Sequence, residues 1–338
     1  MSERSLPQPN GPALGLLRRM SFKTAPGGLL ILLAALVLTA TLTVGESFLA
    51  PGNLRSMAFQ LPELGILSLG MMVTLLQGGV NLSLISTANI AAIAAAAILS
   101  ATVPDGVGAG ALAWQGVAVL AALLVGGLVG VVNGVLIGYL RVSPILTTLG
   151  TMIMVKGISI GLTHGTVISG FPPAVVFLGS GTMFGVPFSL ILFAVLAGLF
   201  SVMLNATPFG SILVLIGSNE AATAYSGVDT RRALFRVYVV SGLLAAVAGL
   251  VMMARFNSAN ASYGESYLLI TILAAVLGGV DPYGGFGKVS GLVLSLVILQ
   301  VISSAFNQLG FSQYLTLAIW GLTLIVVSAL SNRNIVRR

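Results

Sequence analysis

The chain has 338 residues, 57% of them hydrophobic and only 7% charged, with a net charge of +7. Soluble domains carry about 25% charged residues, so no soluble fold of this length covers itself with so few. The absence of cysteine excludes disulfides and thiolate metal sites, the single histidine (His164) excludes a multi-histidine site, and the scattered basic residues make no stripe for nucleic acid.

A bilayer core about 30 Å thick takes roughly 20 apolar residues in a helix. Ten hydrophobic segments meet or approach this: 27–45, 55–77, 79–102, 111–139, 144–164, 187–205, 232–256, 266–280, 289–306 and 313–331. The predicted fold class is an all-α polytopic membrane protein of about ten transmembrane or partly re-entrant helices. Residues 1–26 form an N-terminal tail, 27–331 the membrane domain and 332–338 a C-terminal tail.

The first segment follows Arg18, Arg19 and Lys23. That resembles a signal-peptide start, but the apolar run is long and many spans follow, so an uncleaved first helix is expected. With the N-terminus in the cytoplasm, ten crossings return the C-terminus to the same side. Arg4, Arg18, Arg19, Lys23, Arg141, Arg231, Arg232, Arg236, Lys288, Arg333, Arg337 and Arg338 then fall on the cytoplasmic side. Of the 15 Lys and Arg, this leaves only Arg55 and Arg255 outside and Lys156 within a span. Cytoplasmic loops of membrane proteins show this excess of basic residues.

Pro62 predicts a kink in the second segment. Glu63 beside it reads as a buried structural acid, and it is the one acid placed deep enough for ion coupling. Residues 78–86 are small and polar for lipid contact. Irregular backbone survives at membrane depth only when buried in protein or facing a water-filled cavity, so a broken or re-entrant helix is expected here. The same holds for 266–280, which is short and ends in Gly278-Gly279. Both breaks read Gly-Gly-Val followed by Asn81 or Asp281, a hint of duplicated halves. In the fourth segment, Gly126-Gly127, Gly130 and Gly134 predict close helix packing.

Lys156 lies near the middle of the fifth segment, where an unpaired lysine costs about 2.5–3.5 kcal/mol on insertion scales. It reads as a cavity-facing or gate residue, or as one that snorkels or pairs with a carbonyl or with Glu63. His164, at the outer end, reads as structural. Residues 165–187 carry no Lys or Arg and contain Phe171-Pro172-Pro173. They read as an ordered surface loop that either caps the bundle or meets a partner from outside.

Residues 206–231 interrupt two apolar spans on the cytoplasmic side. Thr207-Pro208-Phe209-Gly210 is a turn signal. Asn219 is placed as an N-cap, Glu220 at the positive end of a short helix, and Gly227 to stop it. A docking element fits these residues, and so does a solvated loop. Gly284-Gly285-Phe286-Gly287-Lys288-Val289 fails as a phosphate loop, because position 282 is proline and valine follows the lysine. The chain is therefore expected not to bind ATP itself.

Four stretches occur in a fixed order: Leu64-Gly65-Ile66 through Gly70 to Gly78-Gly79-Val80-Asn81-Leu82-Ser83; Asn133-Gly134 through Arg141-Val142-Ser143-Pro144 and Thr148-Leu149-Gly150-Thr151 to Lys156-Gly157; Gly210 and Ile216-Gly217-Ser218-Asn219-Glu220-Ala221-Ala222 to Tyr225-Ser226-Gly227-Val228; and Leu273-Ala274-Ala275-Val276-Leu277-Gly278-Gly279 with Gly284-Gly285-Phe286-Gly287. Together they resemble the permease subunits of ribose/xylose/galactose-type ABC importers, over about residues 60–330. Asn81 stands where that family has aspartate, Lys156 where it has arginine, and Tyr267 to Ile272 replaces its Glu-Leu-Asp-Ala-Ile. The chain thus resembles a divergent branch.

The resemblance implies a bacterial inner-membrane permease working by alternating access. A second copy or a sister permease would complete the path. A cytoplasmic ABC ATPase, as separate subunits or in tandem, would dock on the coupling segment, with Asn219, Glu220, Ala221, Ala222 and Gly227 as its marked residues. An extracytoplasmic binding protein would deliver a small-molecule solute such as a monosaccharide or polyol. Gln77, Asn81, Ser83 and Lys156 are the expected path residues, because polar groups in apolar surroundings are costly unless hydrogen-bonded. No catalytic residue, metal or cofactor is implied. The alternative is an ion-coupled secondary transporter, which broken helices also suit, though only Glu63 is there to carry the ion. A membrane-embedded enzyme would want a cluster of His, Asp or Cys.

Overall fold

A computed structural model describes residues 26–102 and 110–333 of the chain. Arg4, Arg18, Arg19, Lys23, Arg337 and Arg338, and with them most of the expected tails, lie outside the described residues. Among the described residues the bundle has thirteen α-helices and four two-residue strands. Helix α1 (Pro26–Val44) is joined by a 3-10 turn at Glu46–Leu49 to α2 (Pro51–Leu76). Then come α3 (Leu84–Thr102), α4 (Ala111–Gly134, continued by a π turn at Val135–Tyr139) and α5 (Pro144–Thr163). Strand β1 (Ile168–Ser169), α6 (Pro173–Ser180) and the β2–β3 pair (Thr182–Met183, Val186–Pro187) precede α7 (Phe188–Ala206). Two short helices, α8 (Pro208–Ser218) and α9 (Glu220–Tyr225), lead to α10 (Thr230–Phe256). Strand β4 (Ser258–Ala259), α11 (Tyr267–Leu277), α12 (Val289–Gln308) and α13 (Gln313–Arg333) complete the fold.

Among the described residues, 8 helices are long and apolar enough to cross a membrane: α1 to α5, α7, α10 and α12. The segment expected at 266–280 yields only the 11-residue α11, about 16 Å at 1.5 Å per residue and too short to cross. The break expected at 78–86 is present at residues 77–83, between Leu76 and Leu84, and α3 is a full helix beyond it. The turn expected at Thr207–Gly210 is instead the start of α8. Pro208 is its first residue and Thr207 is extended at φ −120°; proline suits this position because its missing N–H has no helical partner there.

The helices run between two ends. One carries Arg141, Arg231 and Lys288 and is called the basic end. At the opposite end β1 pairs antiparallel with β4, Ile168 against Ala259. Residues 165–187 are ordered there, with Phe171 and Val175 buried in an apolar cluster shared with α3, α4 and α10.

Helix α10 is the centre of the bundle, buried from Val237 to Ala254 on most sides and packed on α2, α3 and α4. Lipid gives no hydrophobic force between helices, so association depends on close packing. Here α4 presents Gly126, Gly130, Gly134 and Gly138, one every four residues, to α10. A Cβ at these positions would lie 2.7 Å from the Gly242 carbonyl oxygen, and 2.6 Å, 2.8 Å and 2.7 Å from those of Tyr238, Phe235 and Arg231. Gly127 faces aside and would meet only Leu243, at 3.4 Å. The predicted close packing is present and extends one turn further, to Gly138.

Candidate transport and coupling site

The break between α2 and α3 is a hydrogen-bonded knot. Gly78, at φ +85°, ends α2. Its N–H and that of Gly79 donate to the Leu75 and Thr74 carbonyls at 2.8 and 3.0 Å, which satisfies carbonyls a helix end leaves open. Asn81 is 2% exposed. Its Oδ1 accepts from the Ser83 N–H at 3.1 Å and the Ser83 hydroxyl at 2.7 Å, and its Nδ2 donates to Ser241 Oγ at 2.9 Å. Ser241 in turn donates to the Gly70 carbonyl. Asn133 on α4 donates to Ser83 Oγ and accepts from Thr151 on α5. Thr148 reaches the Val80 carbonyl at 3.2 Å, and Gln77 donates to the Tyr238 hydroxyl at 3.2 Å. Gln77, Asn81 and Ser83, all expected to line a path, are therefore brought together, but inside the subunit and bonded to its own helices. Lys156 is not with them.

The second break follows α11. Gly279, at φ +84°, and Val280 close the helix by donating to the Val276 and Ala275 carbonyls at 3.0 and 2.9 Å. Asp281 Oδ1 then accepts from the Tyr283 N–H at 2.9 Å, as Asn81 does from Ser83. The two breaks touch: the Gly285 N–H donates to the Leu76 carbonyl at 2.9 Å. Gly217, in the last turn of α8, lies against both. A Cβ there would fall 2.1 Å from Leu76 O and 2.3 Å from Gly285 N, and one at Gly284 would fall 2.8 Å from Gly217 Cα. Three segments thus meet backbone to backbone at the basic end.

Helix α9 begins one residue after α8 ends. Asn219 caps it, its Oδ1 accepting from the Ala222 N–H at 2.9 Å, and Gly227 follows it at φ +82°. Thr223 is buried, while Ala221, Ala222, Ala224 and Tyr225 face out. Tyr225 is 93% exposed. Glu220 pairs within the subunit with Arg141, which also reaches Thr230 Oγ1 at 3.4 Å. Arg141 adopts φ 58°, a left-handed conformation costing roughly 1–2 kcal/mol, and the pair holds it there.

Two further ion pairs sit away from the basic end. Glu63, fully buried, accepts from Arg255 at 2.5 Å and from the Tyr267 hydroxyl at 2.7 Å. Its Oε2 has no partner among the described residues. Arg255, expected outside, is folded inward onto this acid, its side chain 22% exposed. Lys156 pairs not with Glu63 but with Glu265, at 2.7 Å. Sequence reasoning missed Glu265, Arg141, Ser241, Tyr238 and Asn133. Arg141 and Asn133 carried a signal, both inside the second of the four motifs. Glu265, Ser241 and Tyr238 are polar residues whose side-chain partners lie more than a hundred positions away.

A family model described as the permease component of the branched-chain amino acid transport system matches residues 53–328. The chain belongs to that permease family. This permease is 32% identical over 271 residues to the autoinducer 2 import system permease protein LsrD of Yersinia enterocolitica, covering 78% of each chain. It is 30% identical over 305 residues to LsrD of Yersinia pseudotuberculosis, covering 87% of this chain and 88% of the relative. For LsrD of Photorhabdus temperata the identity is 30% over 269 residues, with 78% of each covered. No solved structure matches. The resemblance drawn from the four motifs holds: the chain is a permease of the ABC importer type, on a divergent branch. With its eight membrane-length apolar helices it is a multi-pass protein of the inner membrane.

Proposed function

We propose that this permease forms half of an ATP-driven importer for a small hydrophilic solute, a monosaccharide or related polyol, with autoinducer 2 included because the relatives are named for its import. A second copy or a sister permease completes the path, and a binding protein delivers the solute. The basic end is cytoplasmic, following the excess of Lys and Arg in cytoplasmic loops. An ABC ATPase docks there on α9, and its motion alternately opens the path to either side.

The observation that carries this reading is α9 itself. It is separately capped, presents Ala221, Ala222 and Tyr225 outward, and connects through Gly217 to both helix breaks. A small-residue face allows close approach of a partner, and an aromatic at its end provides an anchor. Glu220 is occupied by Arg141 of its own subunit, so it positions α9 against the bundle while the alanines and Tyr225 meet the ATPase. The ion-coupled alternative relies on Glu63, and Arg255 neutralises that acid. The test is uptake of labelled autoinducer 2 and ribose into vesicles holding the permease with its ATPase and binding protein. Uptake is expected to stop on ATP depletion and to survive collapse of the proton and sodium gradients; the reverse would establish ion coupling.

A further inference from the structure

We propose that the Lys156–Glu265 ion pair is the solute-contacting polar group of the translocation path, and that it takes an uncharged solute bearing adjacent hydroxyls. The inference rests on the importer reading above and adds the position of the path and the group that lines it.

The first observation is where the pair lies. Lys156 is twelve residues past Pro144 and seven before Thr163, about 18 and 10 Å along α5 at 1.5 Å per residue. It is therefore within the thickness of a membrane. The helix buries Thr147, Thr148, Thr151, Val155, Ser159 and Thr163 against the bundle. Its other side, with Leu149, Ile153, Met154 and Leu162, is uncovered. Lys156 and Glu265 stand at that uncovered side, their side chains 40% and 55% exposed. A charge facing lipid at this depth is costly, and pairing removes only part of that cost. A water-filled path running along this face removes the rest.

The second observation is the segment that brings Glu265 there. Asn89, thirteen residues before the end of α3 at Thr102, donates to the Ala261 and Tyr263 carbonyls at 3.0 and 2.9 Å. Tyr267 is fixed to Glu63, midway along α2. Residues 257–266 therefore dip back into the bundle instead of lying over its end. Non-helical backbone at membrane depth persists where it is buried in protein or lines a water-filled cavity, and here it presents Glu265 outward.

The third observation excludes the other polar cluster. The side-chain oxygens and amides of Asn81, Ser83, Asn133 and Thr151 are engaged with one another and with backbone, which leaves them little to offer a solute. Lys156 has three N–H groups, and one is taken by Glu265. The pair is neutral overall, with donors and acceptors side by side. That matches two neighbouring hydroxyls and not a charged solute. Apolar walls with a few placed polar groups are the usual make-up of such a site, and Gly157 beside the lysine has nothing within 4 Å of its Cβ position, leaving room for an occupant.

The test uses the complete importer in vesicles, with single cysteines in this naturally cysteine-free chain at Ile160 (42% exposed, one turn from Lys156) and separately at Gly157. The probe is a small cationic methanethiosulfonate. It is expected to react at both sites, with a rate that changes about tenfold or more between the nucleotide-free and vanadate-trapped states. Ribose or autoinducer 2 should slow it, and leucine should not. Reaction only with a lipid-soluble maleimide would overturn the proposal, as would a disulfide between copies without reaction, equal rates in both states, or protection by leucine or by no solute. ATP-driven uptake by the unmodified chain in the same vesicles reports on the importer reading independently.

Discussion

Gly217 lies so close to Leu76 that a Cβ at 217 would fall 2.1 Å from the Leu76 carbonyl oxygen. The last turn of α8 is thereby locked to the end of α2, and Gly217→Ala must displace one of them. Overpacking of this kind typically costs 1–3 kcal/mol, roughly. Expected is a chain that inserts into the membrane and binds the ATPase, but whose ATP hydrolysis no longer drives uptake. Hydrolysis and uptake measured together check this; coupled transport at the unmodified ratio would refute it.

The exposed face of α9 should matter for partner binding and not for folding. Ala222→Trp and Tyr225→Ala are expected to leave thermal stability within about 0.5 kcal/mol, as for surface changes generally. Both should lower co-purification of the ATPase and reduce uptake strongly. Asn219→Ala, which removes the cap, should weaken α9 by about 1 kcal/mol and give an intermediate defect. A pull-down with titrated detergent stability measurements separates the two effects.

At position 81, aspartate should be worse than serine. Ser241 already donates its proton to the Gly70 carbonyl, so Asn81→Asp would set a carboxylate oxygen against a hydroxyl oxygen with no hydrogen between them. An unsatisfied buried group costs about 1–3 kcal/mol, more when charged. Asn81→Ser keeps hydrogen-bonding capacity with less of it. The expected order of thermal stability in detergent is unmodified, then serine, then aspartate, and equal stability of the unmodified chain and the aspartate variant would contradict the geometry.

The glycine seam between α4 and α10 gives a contrast within one helix. Gly130→Ala should destabilise by about 1–3 kcal/mol, because its Cβ would meet the Tyr238 carbonyl oxygen at 2.6 Å. Gly127→Ala should be tolerated, since it touches only Leu243 at 3.4 Å. Denaturation midpoints of the two variants are the measurement.

Sidedness is read from two exposed aromatics at opposite ends, Phe184 at 94% and Tyr225 at 93%. With cysteine at 184, an impermeant reagent should label the chain in cells with a permeabilised outer membrane. With cysteine at 225, labelling should require inverted membranes.

The membrane class, eight of the ten span positions and the local form of α9 were legible because each depends on residues close in sequence. The apolar runs set the helices, and Asn219 and Gly227 set the ends of the short one. The glycine repeat of α4 was legible for the same reason, since four-residue spacing is a property of one helix. The ion pairs were not. Lys156 and Glu265 are 109 positions apart and Glu63 and Arg255 are 192 apart, and nothing local tells a lysine which acid it will meet. Residues 257–266 were hidden for a further reason: a short polar stretch looks like a surface turn unless Asn89 is known to hold it within the bundle.

The contact of Gly217 with Leu76 and Gly284 contains no side chain. Most packed interfaces absorb small displacements by rotamer changes, but this junction has none to make. A push on α8 is therefore expected to pass on with little loss, as through a stiff linkage and not a cushion. Its response should vary little with temperature over the range where the bundle stays folded, while joints elsewhere that rest on flexible side chains soften.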